Sequence, residues 1–248
     1  MLVGEKSKTP MTGVKPRLAG PSADLGYQAS KRSIDLALTS ILVLISAPLI
    51  LFAMALVRLT SRGPAIYRQV RLGRDNRAYT IYKIRSMYQD CEAGTGPLWS
   101  TKGDSRVTPV GRFLRSTHVD ELPQLWNVLR GEMSLVGPRP ERPEIAVNLE
   151  EVIHRYSHRL LVRPGLTGLA QVQLPPDTSL ADVKRKLACD LYYIEHANAW
   201  LDLRILASTA SYVLGIPFEL PKAVLRMPSV EVVEALDAER NVPRMQAV

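Results

Sequence analysis

Leu36-Ala37-Leu38-Thr39-Ser40-Ile41-Leu42-Val43-Leu44-Ile45-Ser46-Ala47-Pro48-Leu49-Ile50-Leu51-Phe52-Ala53-Met54-Ala55-Leu56-Val57 runs for 22 residues without a charged side chain. As a helix rising 1.5 Å per residue it would be about 33 Å long, enough to cross a bilayer core of about 30 Å. The flanks oppose a straight crossing. Lys31 and Arg32 precede the run while Arg58, Arg62 and Arg68 follow it, and the tendency of basic residues to stay cytoplasmic draws both ends to one face. Near the middle, Ser46-Ala47-Pro48 combines a proline that removes a backbone donor with a hydroxyl able to satisfy a freed carbonyl. Three readings are open on these residues: a re-entrant helix bent at Ser46 and Pro48, a transmembrane anchor with a harmless proline kink, and a buried helix of a soluble domain.

Upstream, residues 1–29 mix Gly, Pro, Ser, Lys and Thr without apolar periodicity and read as a flexible tail. They lack the short apolar core of a signal peptide, so the apolar run is expected to remain in the mature chain. The full 248 residues, 46% hydrophobic, can bury a core in one large or two small domains. A formal charge of +8 implies a polyanionic partner: nucleic acid, an anionic membrane or a phosphate-rich substrate. Nucleic acid is disfavoured, because zinc-ligand spacing, an RNP-like aromatic pattern and a basic recognition helix are all missing. Cys91 and Cys189 are too few for a disulfide framework and read as reduced thiols, which suits a cytosolic domain.

Downstream of the apolar run, Arg58, Arg62, Arg68, Arg71, Arg74, Arg77, Lys83 and Arg85 face a single acid, Asp75. Most of them suit a membrane-proximal basic patch. Two β-rich stretches, 65–70 and 78–84, flank Gly73-Arg74-Asp75-Asn76 and predict a β-hairpin.

The stretch from His118 to Pro140 carries two adjacent acids, Asp120 and Glu121, before an apolar stripe at Leu122, Leu125, Trp126 and Leu129. That spacing predicts an amphipathic helix closing near Gly131, with Pro123 in its first turn and both acids at its N-terminus. Backbone donors and the helix dipole there stabilise carboxylates and phosphates alike. Consecutive helical side chains diverge by about 100°, so the two acids are expected to do different work. A plain helix cap also accounts for such a pair. Against it stand Arg112, Arg115 and His118 upstream and Arg139 in a stiff Pro-Arg-Pro downstream. These could hold a diphosphate together with magnesium, which takes carboxylate and phosphate oxygens.

Together these motifs resemble the bacterial sugar transferases, the monotopic phosphoglycosyl transferase family, over roughly Ser30 to Ile216. Tyr82-Lys83-Ile84-Arg85-Ser86-Met87 is similar to a family signature lining a phosphate pocket. Arg106-Val107-Thr108-Pro109 and Pro164-Gly165-Leu166-Thr167-Gly168, followed by Ala170-Gln171-Val172, match further family runs. Read by residues alone, Arg106 is equally a salt-bridge partner, and Gly165 to Gly168 is either an anion-binding loop or a plain turn. Gln173 to Asp177 departs from the family pattern, which leaves sugar or base recognition in that region unassigned. Leu201 to Leu214 is an apolar helix suited either to a membrane interface or to core packing. The four histidines lack metal-ligand spacing.

The resemblance implies a membrane-associated α/β fold: a re-entrant membrane helix over 30–60 bent at Ser46 and Pro48, a small β-hairpin or sheet, and several interfacial amphipathic helices. A cytoplasmic catalytic domain would span 61–216, leaving 217–248 as an extension of unassigned role. It implies transfer of sugar-1-phosphate from a UDP-sugar to undecaprenyl phosphate through an aspartyl phosphosugar. Asp120 would be the nucleophile and Glu121 the magnesium ligand. Lys83, Arg85, Arg106, Arg112, Arg115, Arg139 and Thr167 would contact phosphate or nucleotide. The expected location is the bacterial inner membrane, catalytic domain on the cytoplasmic face, at the start of exopolysaccharide, capsule, O-antigen or glycoprotein glycan synthesis. A homo-oligomer is left open. The alternative is a non-catalytic membrane scaffold or an anionic-lipid-binding protein.

Overall fold

The computed structural model of the chain describes residues 24–92, 103–216 and 219–241. Its first element, α1 (Leu25–Thr60), is a 36-residue helix of about 54 Å. It starts where the Asp24 side chain accepts a hydrogen bond from the Gly26 amide at 2.8 Å. Leu25 to Ala29, expected in the tail, are therefore helical; the rest of that tail lies outside the described residues. Pro48 sits inside the helix. The Ser46 hydroxyl is buried and has no hydrogen-bond partner, so it does not fill the carbonyl-satisfying role expected of it.

One face of α1 lies against the rest of the chain along its length, and both ends are tied to it. Near the start, Tyr27 and Lys31 each bond Asp202 at 2.8 Å. Arg32 donates to the Val128 and Leu129 carbonyls at 2.6 and 2.7 Å, and the Asp35 carboxylate accepts from the Leu135 amide at 3.1 Å. Near the end, Ala53 and Val57 pack with Ile84 and Leu114, and Arg85 donates to both the carbonyl and the hydroxyl of Ser61 at 2.8 Å. The opposite face is open, with Ile41, Leu44, Ile45, Leu51 and Phe52 between 54% and 77% exposed.

The hairpin expectation holds. β1 (Ile66–Leu72) pairs antiparallel with β2 (Ala78–Ile84), from Ile66 opposite Ile84 to Leu72 opposite Ala78. Asp75 and Asn76 take positive φ in the turn, where short polar side chains tolerate the left-handed region. The patch reading fails for Arg71, which is committed to Glu141 and the Pro140 carbonyl, and Arg85, in the Lys83 signature, is buried.

Thr108 caps α2 (Pro109–Ser116) by accepting from the Gly111 amide at 2.9 Å. Gly111 admits no side chain, because a Cβ would lie 1.9 Å from the Ser86 carbonyl oxygen. The expected amphipathic helix divides in two: a 3-10 helix (Val119–Gln124) followed by α3 (Leu125–Arg130), which stops at Gly131 with φ 80°. The tighter winding, about three residues per turn, changes the stripe. Leu125, Asn127 and Val128 face inward, whereas Trp126, expected on the apolar stripe, is 55% exposed. Asn127 locks α3 to β2, donating to the Thr80 carbonyl at 2.7 Å and accepting from the Tyr82 amide at 3.4 Å.

β3 (Ser134–Val136) and β4 (Gly165–Thr167) form a short parallel pair. Between them lie α4 (Pro143–Val152) and a 3-10 helix (Tyr156–Leu161); after them come α5 (Leu169–Gln173), α6 (Leu180–His196), α7 (Ala199–Val213), α8 (Glu219–Val224) and α9 (Val230–Asn241). Burial of a Leu or Ile side chain contributes about 1.5–3 kcal/mol, and the main core concentrates such groups on α6, with Val183, Leu187, Leu191 and Ile194 all buried. Met227, Val230 and Val233 belong to the same core, so part of the segment expected as an extension packs with the domain. α7 serves two surfaces: Leu201 and Ile205 are buried while Trp200, Leu203, Tyr212 and Val213 stay open. Among the described residues the fold is mostly helical, and the β contribution expected of an α/β fold is two two-stranded pairs.

Candidate active site

The 3-10 turn that carries the two acids opens at His118, a non-glycine residue with φ 55°, whose ring lies 5.6 Å from that of Tyr212. It places the acids in opposite circumstances. Glu121 Oε1 accepts from Lys83 at 2.7 Å and from Arg139 at 2.6 Å, and Arg139 reaches Oε2 at 3.3 Å. Asp120 is 6% exposed and makes no ion pair among the described residues.

Their acidities diverge accordingly. Burial, reinforced by the neighbouring Glu121 charge, pushes the Asp120 carboxyl up to about 6, against the opposing pull of Lys83, Arg115 and His118. Burial raises Glu121 too, but Arg139 and Lys83 outweigh it and hold that carboxyl well below the ordinary range. Burial also lowers Lys83, with Glu121 opposing, whereas Arg139 is held firmly cationic by Glu121. Near neutrality Asp120 is thus a mostly ionised, comparatively basic carboxylate, and Glu121 is a permanent anion engaged with two cations.

Arg139 is set by its backbone. The Pro138 carbonyl accepts from the Gly165 amide at 2.9 Å, the Arg139 carbonyl from Arg159 at 3.0 Å, the Pro140 carbonyl from Arg71 at 3.2 Å and the Glu141 carbonyl from the Leu72 amide at 3.0 Å. Four consecutive acceptors are satisfied, two of them by arginine side chains. Arg159 is itself held by the buried Asp190 at 2.8 Å and by the Tyr156 hydroxyl at 2.6 Å.

The structure brings Lys83, Arg139, Asp120 and Glu121 together, with Arg115 close enough to act on Asp120 while its Nε donates to the Ser86 hydroxyl at 2.8 Å. Arg112 is exposed on α2. The remaining expected contacts lie in other company. Arg85 holds the end of α1, Arg106 grips Asp104 through its Nε and Nη2, and Thr167 shares a 2.7 Å hydrogen bond with Thr209. Gly165 to Gly168 is a packing device: a Cβ on Gly165 would lie 2.1 Å from the Gly137 nitrogen and one on Gly168 2.2 Å from the Gly137 oxygen. Its Gly165 amide is used by Pro138, so the loop is a strand rather than an anion nest. Sequence reasoning missed Arg71 and Arg159 as supports, because their partners lie 69 and 20 residues away and leave no local pattern.

Among the described residues no three His, Cys, Asp or Glu side chains gather as a closed metal cage. The two adjacent carboxylates offer only oxygen donors and leave part of the Glu121 Oε2 capacity open. This fits a hard cation that completes its shell with phosphate oxygens and water.

The candidate site is thus a buried carboxylate, a second carboxylate held by two cations, and a nearby helix with one open apolar face. The family profile described as bacterial sugar transferase matches residues 26–215. A UDP-glucose:undecaprenyl-phosphate glucose-1-phosphate transferase of Caulobacter vibrioides is 41% identical over 201 residues, covering 80% of this chain and 74% of that one. A UDP-N-acetylgalactosamine-undecaprenyl-phosphate N-acetylgalactosaminephosphotransferase of Aeromonas hydrophila is 40% identical over 188 residues, 76% of this chain and 44% of its own length. An undecaprenyl-phosphate glucose phosphotransferase of Komagataeibacter xylinus is 41% identical over 184 residues, 72% of this chain and 35% of its own length. The chain thus spans less than half of the latter two relatives. It belongs to the bacterial sugar transferase family.

Proposed function

We propose that the chain transfers sugar-1-phosphate from a UDP-sugar to undecaprenyl phosphate, with Asp120 as nucleophile. The observation that carries this reading is the split between the neighbouring acids, one buried, basic and unpaired, the other held anionic by two cations. Environments that drive paired carboxylates apart assign them separate tasks. An Asp120 oxygen attacks the sugar-bearing phosphorus. A P–O(Asp) bond forms and the bond to the leaving phosphate breaks, so UMP departs with the electron pair. A terminal oxygen of undecaprenyl phosphate then attacks that phosphorus, the bond to Asp120 breaks, and the carboxylate is regenerated. Lys83 and Arg139, aligned by Glu121, neutralise charge on the transferring group. Magnesium would be held by Glu121, and when bound it supplies further charge neutralisation at the phosphates.

The topology reading is a re-entrant α1 in the cytoplasmic leaflet. A crossing that carried Tyr27 and Ser61 to opposite sides of a bilayer conflicts with the bonds tying both ends of the helix to one domain. The open apolar face of α1, together with exposed Trp126, Phe113 and Tyr212, suits contact with lipid. The relatives' names carry different sugars at similar identity, so the sugar is left unassigned. Incubating purified protein with magnesium, undecaprenyl phosphate and a UDP-sugar panel should release UMP and leave a phosphosugar on Asp120 in single-turnover samples lacking acceptor. No UMP from any sugar would reject the transfer reading; a phosphosugar on another residue would reject the nucleophile.

A further inference from the structure

A second concavity lies between the start of α1, the hairpin turn and the segment leading into β4. Lys31, Arg74, Ser134, Val136 and Arg163 line it, with the Tyr27 ring as an apolar wall. Ser134 and Val136 are two residues apart on β3, so their side chains face the same side. Ser134 is 1% exposed, and its hydroxyl has no hydrogen-bond partner. A buried hydroxyl left unmet is unusual in a folded protein and points to a group that completes it.

The cations around it are imperfectly balanced. Lys31 is paired with Asp202, and Arg74 has only a 3.4 Å contact with Asp75 at a partly exposed position. Arg163 has no ion pair among the described residues. Burial lowers its pKa and the Arg74 and Arg32 charges lower it further, with Asp35 the one opposing group.

We propose that this concavity binds a phosphate group, with the Arg163 and Arg74 guanidinium groups and the Lys31 ammonium around its oxygens and the Ser134 hydroxyl donating to one of them. Guanidinium matches phosphate geometry through paired N–H donors, and a bound phosphate would relieve the like-charge crowding. The apolar wall favours a phosphate ester. Such a group can come from an anionic lipid headgroup, since Lys31 lies just before the apolar run of α1, or from a soluble phosphate. None of the lining residues belongs to the Asp120 group, so the site stands independently of the transfer reading.

The test follows thermal unfolding of the full chain. In micelles of uncharged detergent it is titrated with inorganic phosphate and with glycerol phosphate; in nanodiscs, phosphatidylcholine is compared with phosphatidylglycerol mixtures. A saturable rise in Tm is expected. Arg163→Gln should weaken it about 10-fold and Ser134→Ala severalfold, while Arg139→Gln, which alters only binding at the Asp120 group, keeps the part of the rise that depends on Arg163 and Ser134. Arg163→Lys, which keeps the charge but loses the paired donors, should fall between and serves if Arg163→Gln does not fold. Response to soluble phosphates or to phosphatidylglycerol alone identifies the source, and either supports the site. No response in any arm, a response equal in Arg163→Lys, Arg163→Gln and Ser134→Ala, or one lost only in Arg139→Gln would overturn it.

Discussion

Arg139 follows β3 and Arg163 precedes β4, each beside a proline, yet their surroundings differ. Arg139 is balanced by Glu121, and the four carbonyls of its turn are all engaged. Arg163 has no acid paired with it and shares its neighbourhood with Arg74 and Arg32. A cation neutralised by a resident carboxylate is positioned before substrate arrives. One left among like charges is completed only by something from outside. The same short pair of strands therefore carries one prearranged charge and one unfinished one.

The largest test of the prearranged side is Asp120→Asn. It keeps the buried shape but removes the nucleophile, and UMP release should fall by about 10³-fold or more; near-normal turnover would return the pair to the status of a helix cap. Arg159→Leu tests the support behind Arg139. It strands Asp190, which is 2% exposed, and should cost about 3–5 kcal/mol in chemical denaturation, with Asp190→Leu added in the same chain recovering much of the loss. Arg139→Gln leaves that support in place and should lower kcat/KM about 10²-fold.

A smaller effect lies in pH. Because Asp120 must ionise to act and titrates near 6, kcat/KM should rise with pH through about 6. Lys83→Gln removes a charge that favours the ionised form and should move that limb upward. For stability the sign is reversed. A carboxyl raised in the folded state favours folding most when protonated, below the unfolded value near 3.8, and this contribution is lost as pH rises through 6. Asp120→Asn should therefore stabilise the chain above pH 6, by on the order of 2 kcal/mol, and give no such gain below pH 4.

Local signals were legible in the sequence. The hairpin followed from β-rich runs around Gly73 to Asn76, and the stop of α3 from Gly131. The two acids were identifiable, and the structure gives them different surroundings. What the sequence concealed was long-range. Arg85 sits two residues beyond Lys83, just past the end of β2, yet Arg85 reaches Ser61 and Lys83 reaches Glu121. The Leu122 to Leu129 stripe assumed 3.6 residues per turn, and the 3-10 turn around Pro123 rotated Trp126 outward. Gly165 and Gly168 had the content of an anion loop, but only the approach of Gly137 explains why side chains are excluded there.

The attachment of α1 has a consequence for modularity. Removing residues 25–61 to obtain a soluble domain would strip the Leu135 amide of its acceptor and leave Asp202, Arg85 and the Val128 and Leu129 carbonyls without their helix partners. Because β3 leads directly into the turn bearing Arg139, such a fragment would lose order first at its candidate catalytic edge. The apolar helix is a wall of the domain: the element that offers an open apolar face also completes the fold beneath the site.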